Sequence, residues 1–118
     1  MDAVEAVGGL GALAHSGRLE AFRLLVKAGP EGLAAGELAR LTGSKPNTLS
    51  TNLNILAGSG LVESRREGRS IIYTAGYERM RQLLAFLMED CCGGAPEICA
   101  PLAALAGACC ETERTPAQ

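Results

Sequence analysis

The stretch Gly36-Glu37-Leu38-Ala39-Arg40-Leu41-Thr42-Gly43-Ser44-Lys45-Pro46-Asn47-Thr48-Leu49-Ser50-Thr51-Asn52-Leu53-Asn54-Ile55-Leu56 decides the fold. Leu38 and Leu41 share one side of a short helix over about 35–41, and Thr42-Gly43 breaks it. Ser44 is placed to cap a second helix, with Pro46 in its first turn, where a missing N–H does no harm. Leu49, Leu53 and Leu56 line one face of that helix. Asn47, Thr51 and Asn54 line the other, flanked by Lys45 and Thr48. Ala39, Gly43 and Leu49 form the informative trio. A small residue lets the helices approach, a glycine turns the chain at positive φ, and an apolar residue seats the second helix on the first. The pattern is a helix-turn-helix.

Working outward, Gly58-Ser59-Gly60 ends the second helix. Strands over 61–66 and 69–74 follow, around a Glu67-Gly68 turn. Upstream, Val4, Val7 and Leu10 recur at helical spacing over about 2–14. A further helix over about 17–28, with Ser16 as its cap, carries Leu19, Phe22, Leu25 and Val26 and stops at Gly29-Pro30. A last helix runs from about 77 to 90, with Met80, Leu83, Leu84 and Leu87 on one stripe. The fold expected is mainly α with a β-hairpin: a winged helix-turn-helix of five helices and a two-stranded wing. Residues 1–90 would form one domain, and residues 91–118 a cysteine-rich tail, disordered at its end.

The chain has 118 residues, 47% of them hydrophobic but only 3% aromatic, which suits a closely packed helical core. Charge interrupts every apolar run before the roughly 20 residues of a membrane span, so no membrane partner is expected. The acidic start Met1-Asp2-Ala3-Val4-Glu5 lacks the positive flank of a signal peptide and points to the cytoplasm, where thiols stay reduced. His15 is the only histidine, and it reads as a polar residue at a helix end rather than a ligand. No base therefore accompanies a cysteine nucleophile, and an enzyme is not expected.

The net charge is −2, but its distribution matters more. From Arg40 to Arg69 stand Arg40, Lys45, Arg65, Arg66 and Arg69 against Glu63 and Glu67 only. A helix-turn-helix leading into an arginine-rich hairpin places its second helix in the DNA major groove and its hairpin along the backbone. Asn47, Thr48, Thr51 and Asn54 would face base edges, and Lys45, Arg65, Arg66 and Arg69 would meet phosphates.

Ala12-Leu13-Ala14-His15-Ser16-Gly17-Arg18-Leu19, Gly36-Glu37-Leu38-Ala39 and the run from Thr48 through Leu56 and Gly60 through Arg69 resemble the ArsR/SmtB family of winged-helix repressors. The resemblance covers about residues 10–88. It implies a homodimer, built mainly from the first and last helices, that represses double-stranded operator DNA until an inducer binds, with residues 1–90 as the DNA-binding and dimerisation domain and residues 91–118 as the inducer-binding tail. Two departures stand out. Asn52 occupies a position where many members carry histidine. Ala34 and Gly36 occupy the places of a Cys-x-Cys pair found in arsenic sensors, and the last helix lacks the Asp and His of zinc sensors.

All five cysteines lie in the last third of the chain, in Glu89-Asp90-Cys91-Cys92-Gly93-Gly94-Ala95-Pro96-Glu97-Ile98-Cys99 and at Cys109-Cys110. Thiolates select soft ions, and trivalent arsenic takes three sulfurs. Some arsenic-responsive members resemble this arrangement, which implies Cys91, Cys92 and Cys99 as a site for trivalent arsenic (arsenite or an organoarsenical) or antimonite. Cys109 and Cys110 are a possible second site. Another soft ion such as cadmium or lead, a thiol redox switch, or no sensing role remain open readings of the same cysteines. Adjacent cysteines match poorly to the four-ligand spacings of zinc.

Overall fold

A computed structural model describes residues 1–89 of the chain. Its first compact unit is Met1–Phe86, and the described part beyond it is the end of the last helix. The elements are α1 (Ala3–Leu13), α2 (Ser16–Ala28), a 3-10 turn (Gly29–Glu31), β1 (Leu33–Ala34), α3 (Ala35–Thr42), α4 (Pro46–Gly58), β2 (Val62–Glu67), β3 (Ser70–Ala75) and α5 (Tyr77–Met88). The five helices and the hairpin stand as the sequence implies. The cysteine tail, from Cys91 onward, lies outside the described residues.

Asp2 and Glu5 close α1 with a reciprocal capping box: Glu5 N donates to Asp2 Oδ1 at 2.8 Å, and Asp2 N donates to Glu5 Oε1 at 3.0 Å. The stripe Val4, Val7 and Leu10 does form on this helix, but it faces outward, with Val4 80% and Val7 68% exposed. The buried side is Ala6, Gly9 and Ala12. The small side goes inward because it lets the helix lie close: a Cβ at Gly9 would sit 3.5 Å from Leu83 Cδ2 of α5.

Ser16, the cap suggested for α2, is its first residue, and His15 takes the capping role. Its Nδ1 accepts from Gly17 N at 3.1 Å and Arg18 N at 3.4 Å. The imidazole is therefore a helix-end group, in keeping with its sequence position.

Between α3 and α4, Gly43 turns the chain at φ 68° and ψ 15°, the left-handed conformation that the trio requires. Ser44 is not the cap of α4. Its hydroxyl lies 3.0 Å from Thr42 Oγ1, which itself donates to Leu38 O, and Lys45 becomes the N-cap without a side-chain bond. Pro46 at the first helical position needs no partner for a missing N–H, so the helix starts without a side-chain cap. The far end of α4 closes in a Schellman motif: Leu61 N donates to Leu56 O at 3.0 Å and Gly60 N to Ala57 O at 3.0 Å, with Gly60 at φ 81°. Leu56 and Leu61, the apolar pair of that motif, are both fully buried.

The sheet has three antiparallel strands in the order β1-β3-β2. The two-residue strand β1, which pairs Leu33 with Tyr73 and Ala34 with Ile72, is an addition to the expected two-stranded wing. Two residues carry no periodic pattern, so only the pairing reveals it. The hairpin register joins Glu67 to Ser70, which makes Gly68-Arg69 the loop and moves both strands one residue later than the alternation suggests. Gly68 supplies the positive φ, 63°, and Arg69 sits in the turn rather than in a strand.

The core joins Phe22 and Leu25 of α2, Leu38 of α3, Leu49, Leu53 and Leu56 of α4, and Leu61, Val62 and Ala75 around the hairpin. Tyr77 Oη donates to Val26 O at 3.2 Å and ties the start of α5 to the end of α2. On α5, Leu83 is buried, whereas Leu84 is 51% exposed. None of the described helices is long and apolar enough to cross a membrane.

Candidate nucleic-acid interface

Helix α4 splits by its periodicity into two faces. Leu49, Asn52, Leu53 and Leu56 are buried; Asn47, Thr48, Thr51 and Asn54 are exposed, as is the capping residue Lys45. The four polar residues named from the sequence thus share one solvent-facing surface. Thr51 Oγ1 donates back to Asn47 O at 3.0 Å, so its hydroxyl hydrogen is engaged while its oxygen still accepts. The amides of Asn47 and Asn54 make no side-chain hydrogen bond among the described residues, which leaves both the donor and the acceptor that adenine recognition needs.

Asn52 is different. It is buried, the one such polar side chain among the described residues at 6% exposed, and its Nδ2 lies 3.1 Å from where a Cβ on Gly17 would stand. The absence of a side chain at Gly17 makes room for that amide against the start of α2.

The hairpin carries the basic residues on two distinct faces, because alternate residues of a strand point oppositely. Ser64 and Arg66 lie opposite Tyr73 and Ile71. Tyr73 lines a cleft of about 220 Å³ against α3 and α4, together with Gly36, Ala39, Leu49 and Ser50. Arg69 and Tyr73 line an adjoining cleft with Gly36 and Ser50. This side of the wing therefore borders the helix-turn-helix, and Arg66 and Arg69 make no ion pair or hydrogen bond among the described residues.

The opposite face holds Glu63, Arg65 and Glu67. Arg65 donates from Nη1 to Pro30 O at 3.1 Å, from Nη2 to Glu31 O at 2.9 Å and from Nε to Glu67 Oε2 at 2.6 Å. Arg40 is also engaged, paired with Glu37 on α3. That hydrogen bond holds the Glu37 carboxyl below its ordinary range and raises the guanidinium of Arg40. Of the five bases counted between Arg40 and Arg69, the structure thus leaves Lys45, Arg66 and Arg69 unpaired among the described residues. Alternation with Glu63 and Glu67 is the sequence signal that sets Arg65 apart from its neighbour.

Ala34 ends β1 and Gly36 lies in the first turn of α3, and neither carries a side chain that could ligate a metal. Among the described residues no group of three His, Cys, Asp or Glu side chains is placed to hold a metal ion. Cys91, Cys92, Cys99, Cys109 and Cys110 all lie beyond the described residues.

Residues 13–65 match the model of a helix-turn-helix domain. The HTH-type transcriptional regulator YgaV of Escherichia coli K12 is 32% identical over 90 residues, covering 76% of this chain and 89% of that protein. The winged helix-turn-helix domain of Mb0332 from Mycobacterium bovis, described as homodimeric and as a possible ArsR-family regulator, superposes with a TM-score of 0.60. It shares 33% identity, over 71% of this chain and 75% of that one. The chain belongs to the ArsR family of winged-helix transcriptional regulators. An ArsR-like transcriptional regulator from Rhodococcus sp. RHA1 gives a TM-score of 0.65 at 28% identity, over 86% of this chain and 90% of its own. This ArsR-family chain is a transcriptional regulator with a winged helix-turn-helix DNA-binding domain, not an enzyme.

Proposed function

We propose that the protein is a homodimeric repressor that holds double-stranded operator DNA and lets it go when trivalent arsenic or antimony binds its C-terminal thiolates. The observation that carries the DNA half is the single polar face of α4, Asn47, Thr48, Thr51 and Asn54, bordered by Lys45, Arg66 and Arg69 with their charges unpaired among the described residues. The polar side chains read base edges, and the cations meet phosphates. Dimerisation is supported by the outward stripe Val4, Val7 and Leu10 on α1 and by exposed Leu84 on α5, apolar surface that a monomer would leave in water. Mb0332, homodimeric by its description, is consistent with that arrangement.

The inducer half rests on the sequence. With no sulfur at Ala34 or Gly36, the chain's thiols are concentrated in residues 91–118, the proposed sensing segment that follows residues 1–90 in the sequence. Arsenite, As(OH)₃, exchanges its three hydroxyls for the sulfurs of Cys91, Cys92 and Cys99, releasing three waters. Native mass spectrometry under strict reduction tests this directly. One arsenic per protomer is expected for the wild type, and none at that site for Cys91→Ser, Cys92→Ser or Cys99→Ser. Undiminished loading of any one of these variants removes that cysteine from the site.

A further inference from the structure

We infer that Arg65 serves operator binding as a positioning residue, a brace that fixes the wing, rather than as a phosphate contact. The inference rests on the reading of the hairpin as a DNA-binding wing. β2 is an outer strand of the sheet, and β3 separates it from β1. The register places Arg65 opposite Ile72, and Ile72 opposite Ala34. From this row the guanidinium reaches across the sheet to the carbonyls of Pro30 and Glu31, 3.1 and 2.9 Å away, in the turn that precedes β1. Those residues are 35 and 34 positions distant in sequence, so one side chain joins the hairpin to the 3-10 turn that follows α2.

The planar fork of arginine suits this task. Two of its N–H groups meet two successive backbone carbonyls, and Nε meets Glu67 of its own strand at 2.6 Å. The electrostatics of the face also disfavour DNA. Glu63 and Glu67 flank Arg65 on the strand, and Glu78 of α5 lines the same cleft, so a phosphate approaching here meets carboxylates. Arg66, one residue on, points to the other face and makes no such bond among the described residues. The two adjacent arginines therefore divide the work: Arg65 sets where the hairpin stands, and Arg66 presents its charge from there.

The test uses the full-length protein and a duplex that the wild type selects from a random-sequence pool, with affinity measured by fluorescence anisotropy across a salt series. Arg66→Ala removes one phosphate contact per protomer and is expected to reduce the slope of log affinity against log salt by about two for the dimer. Arg65→Ala is expected to lower affinity on the order of tenfold with the wild-type slope retained. Arg65→Lys keeps the charge but not the fork, and is expected to behave like Arg65→Ala. Amide hydrogen exchange without DNA is the second readout, expected to quicken in β2, β3 and residues 30–33 for both Arg65 variants and not for Arg66→Ala. A slope reduced by Arg65→Ala, or affinity restored by Arg65→Lys, would make Arg65 a phosphate contact. Unchanged exchange in both Arg65 variants would remove the brace. A wild type that selects no duplex refutes the DNA reading, while the exchange data still report on the brace.

Discussion

Two glycines with similar φ offer a matched pair of substitutions whose costs should differ widely. Gly43 has φ 68° in the helix-turn-helix, and a Cβ there would meet nothing within 4 Å. Gly43→Ala therefore carries only the left-handed backbone term, about 1–2 kcal/mol. Stiffening of the unfolded chain offsets about 0.4–1 kcal/mol of it. Gly32 has φ 71° and ψ −170°, a region that only glycine occupies readily, at a cost of about 1–3 kcal/mol for other residues. Its Cβ would also stand 2.3 Å from Tyr73 O and 2.7 Å from Thr74 Cγ2. Because Tyr73 O belongs to the β3 backbone, relief requires β1 to part from β3, which forfeits hydrogen bonds worth about 1 kcal/mol each. With the same offset applied to both and two hydrogen bonds lost at β1, Gly32→Ala should cost about 2–5 kcal/mol, against about 0–1.6 kcal/mol for Gly43→Ala. Urea unfolding at one fixed protomer concentration measures both, and hydrogen exchange should localise the Gly32 effect to β1 and β3. Equal midpoints for the two variants would refute the claim that the close approach of residue 32 to β3 fixes the root of the wing.

Three further outcomes are expected. Asn47→Ala and Asn54→Ala should each relax discrimination at one base position by about 1–3 kcal/mol and leave the salt slope unchanged, read by competition between selected and mutated duplexes. Val7→Glu places a charge in the outward stripe of α1 and should give a folded monomer by sedimentation, with much weaker operator binding; a stable dimer would exclude that stripe from the interface. The Glu5 carboxyl lies below its ordinary value of 4.5, first through the Asp2 N–H and then through Arg79 at 3.2 Å. A depressed carboxylate contributes stability above its unfolded pKa and loses it as pH falls through the folded one. Glu5→Gln should therefore flatten the acid limb of the stability profile below about pH 4.5, followed by circular dichroism.

Much of this architecture is legible in the chain because period and punctuation agree. Leu49, Leu53 and Leu56 repeat at helical spacing, Gly43 stands where the turn needs positive φ, and Gly58-Ser59-Gly60 stops the helix. What the pattern does not carry is direction and long-range partnership. The stripe Val4, Val7 and Leu10 has the period of a core face, yet the smaller face goes inward because α1 packs closely on Leu83. His15 and Ser16 compete for one capping role that only the backbone geometry assigns. Strand β1 exists through its pairing with Tyr73 and Ile72, some forty residues away. Arg65 and Arg66 are alike by composition, and the difference between them comes from carbonyls at Pro30 and Glu31. The exposed polar face of α4 follows from the sequence alone; the buried amide of Asn52 does not, since its place depends on Gly17 of another helix.

The central claim, a repressor released through tail thiolates, is tested most directly by operator affinity under strict anaerobic reduction, with and without arsenite. The wild type should lose affinity by about 5–150-fold, the range of a coupling of about 1–3 kcal/mol. The variant with Cys91, Cys92 and Cys99 all changed to Ser should bind the operator equally well in both conditions. A wild type indifferent to arsenite, or a triple variant that still lets go, would contradict the account.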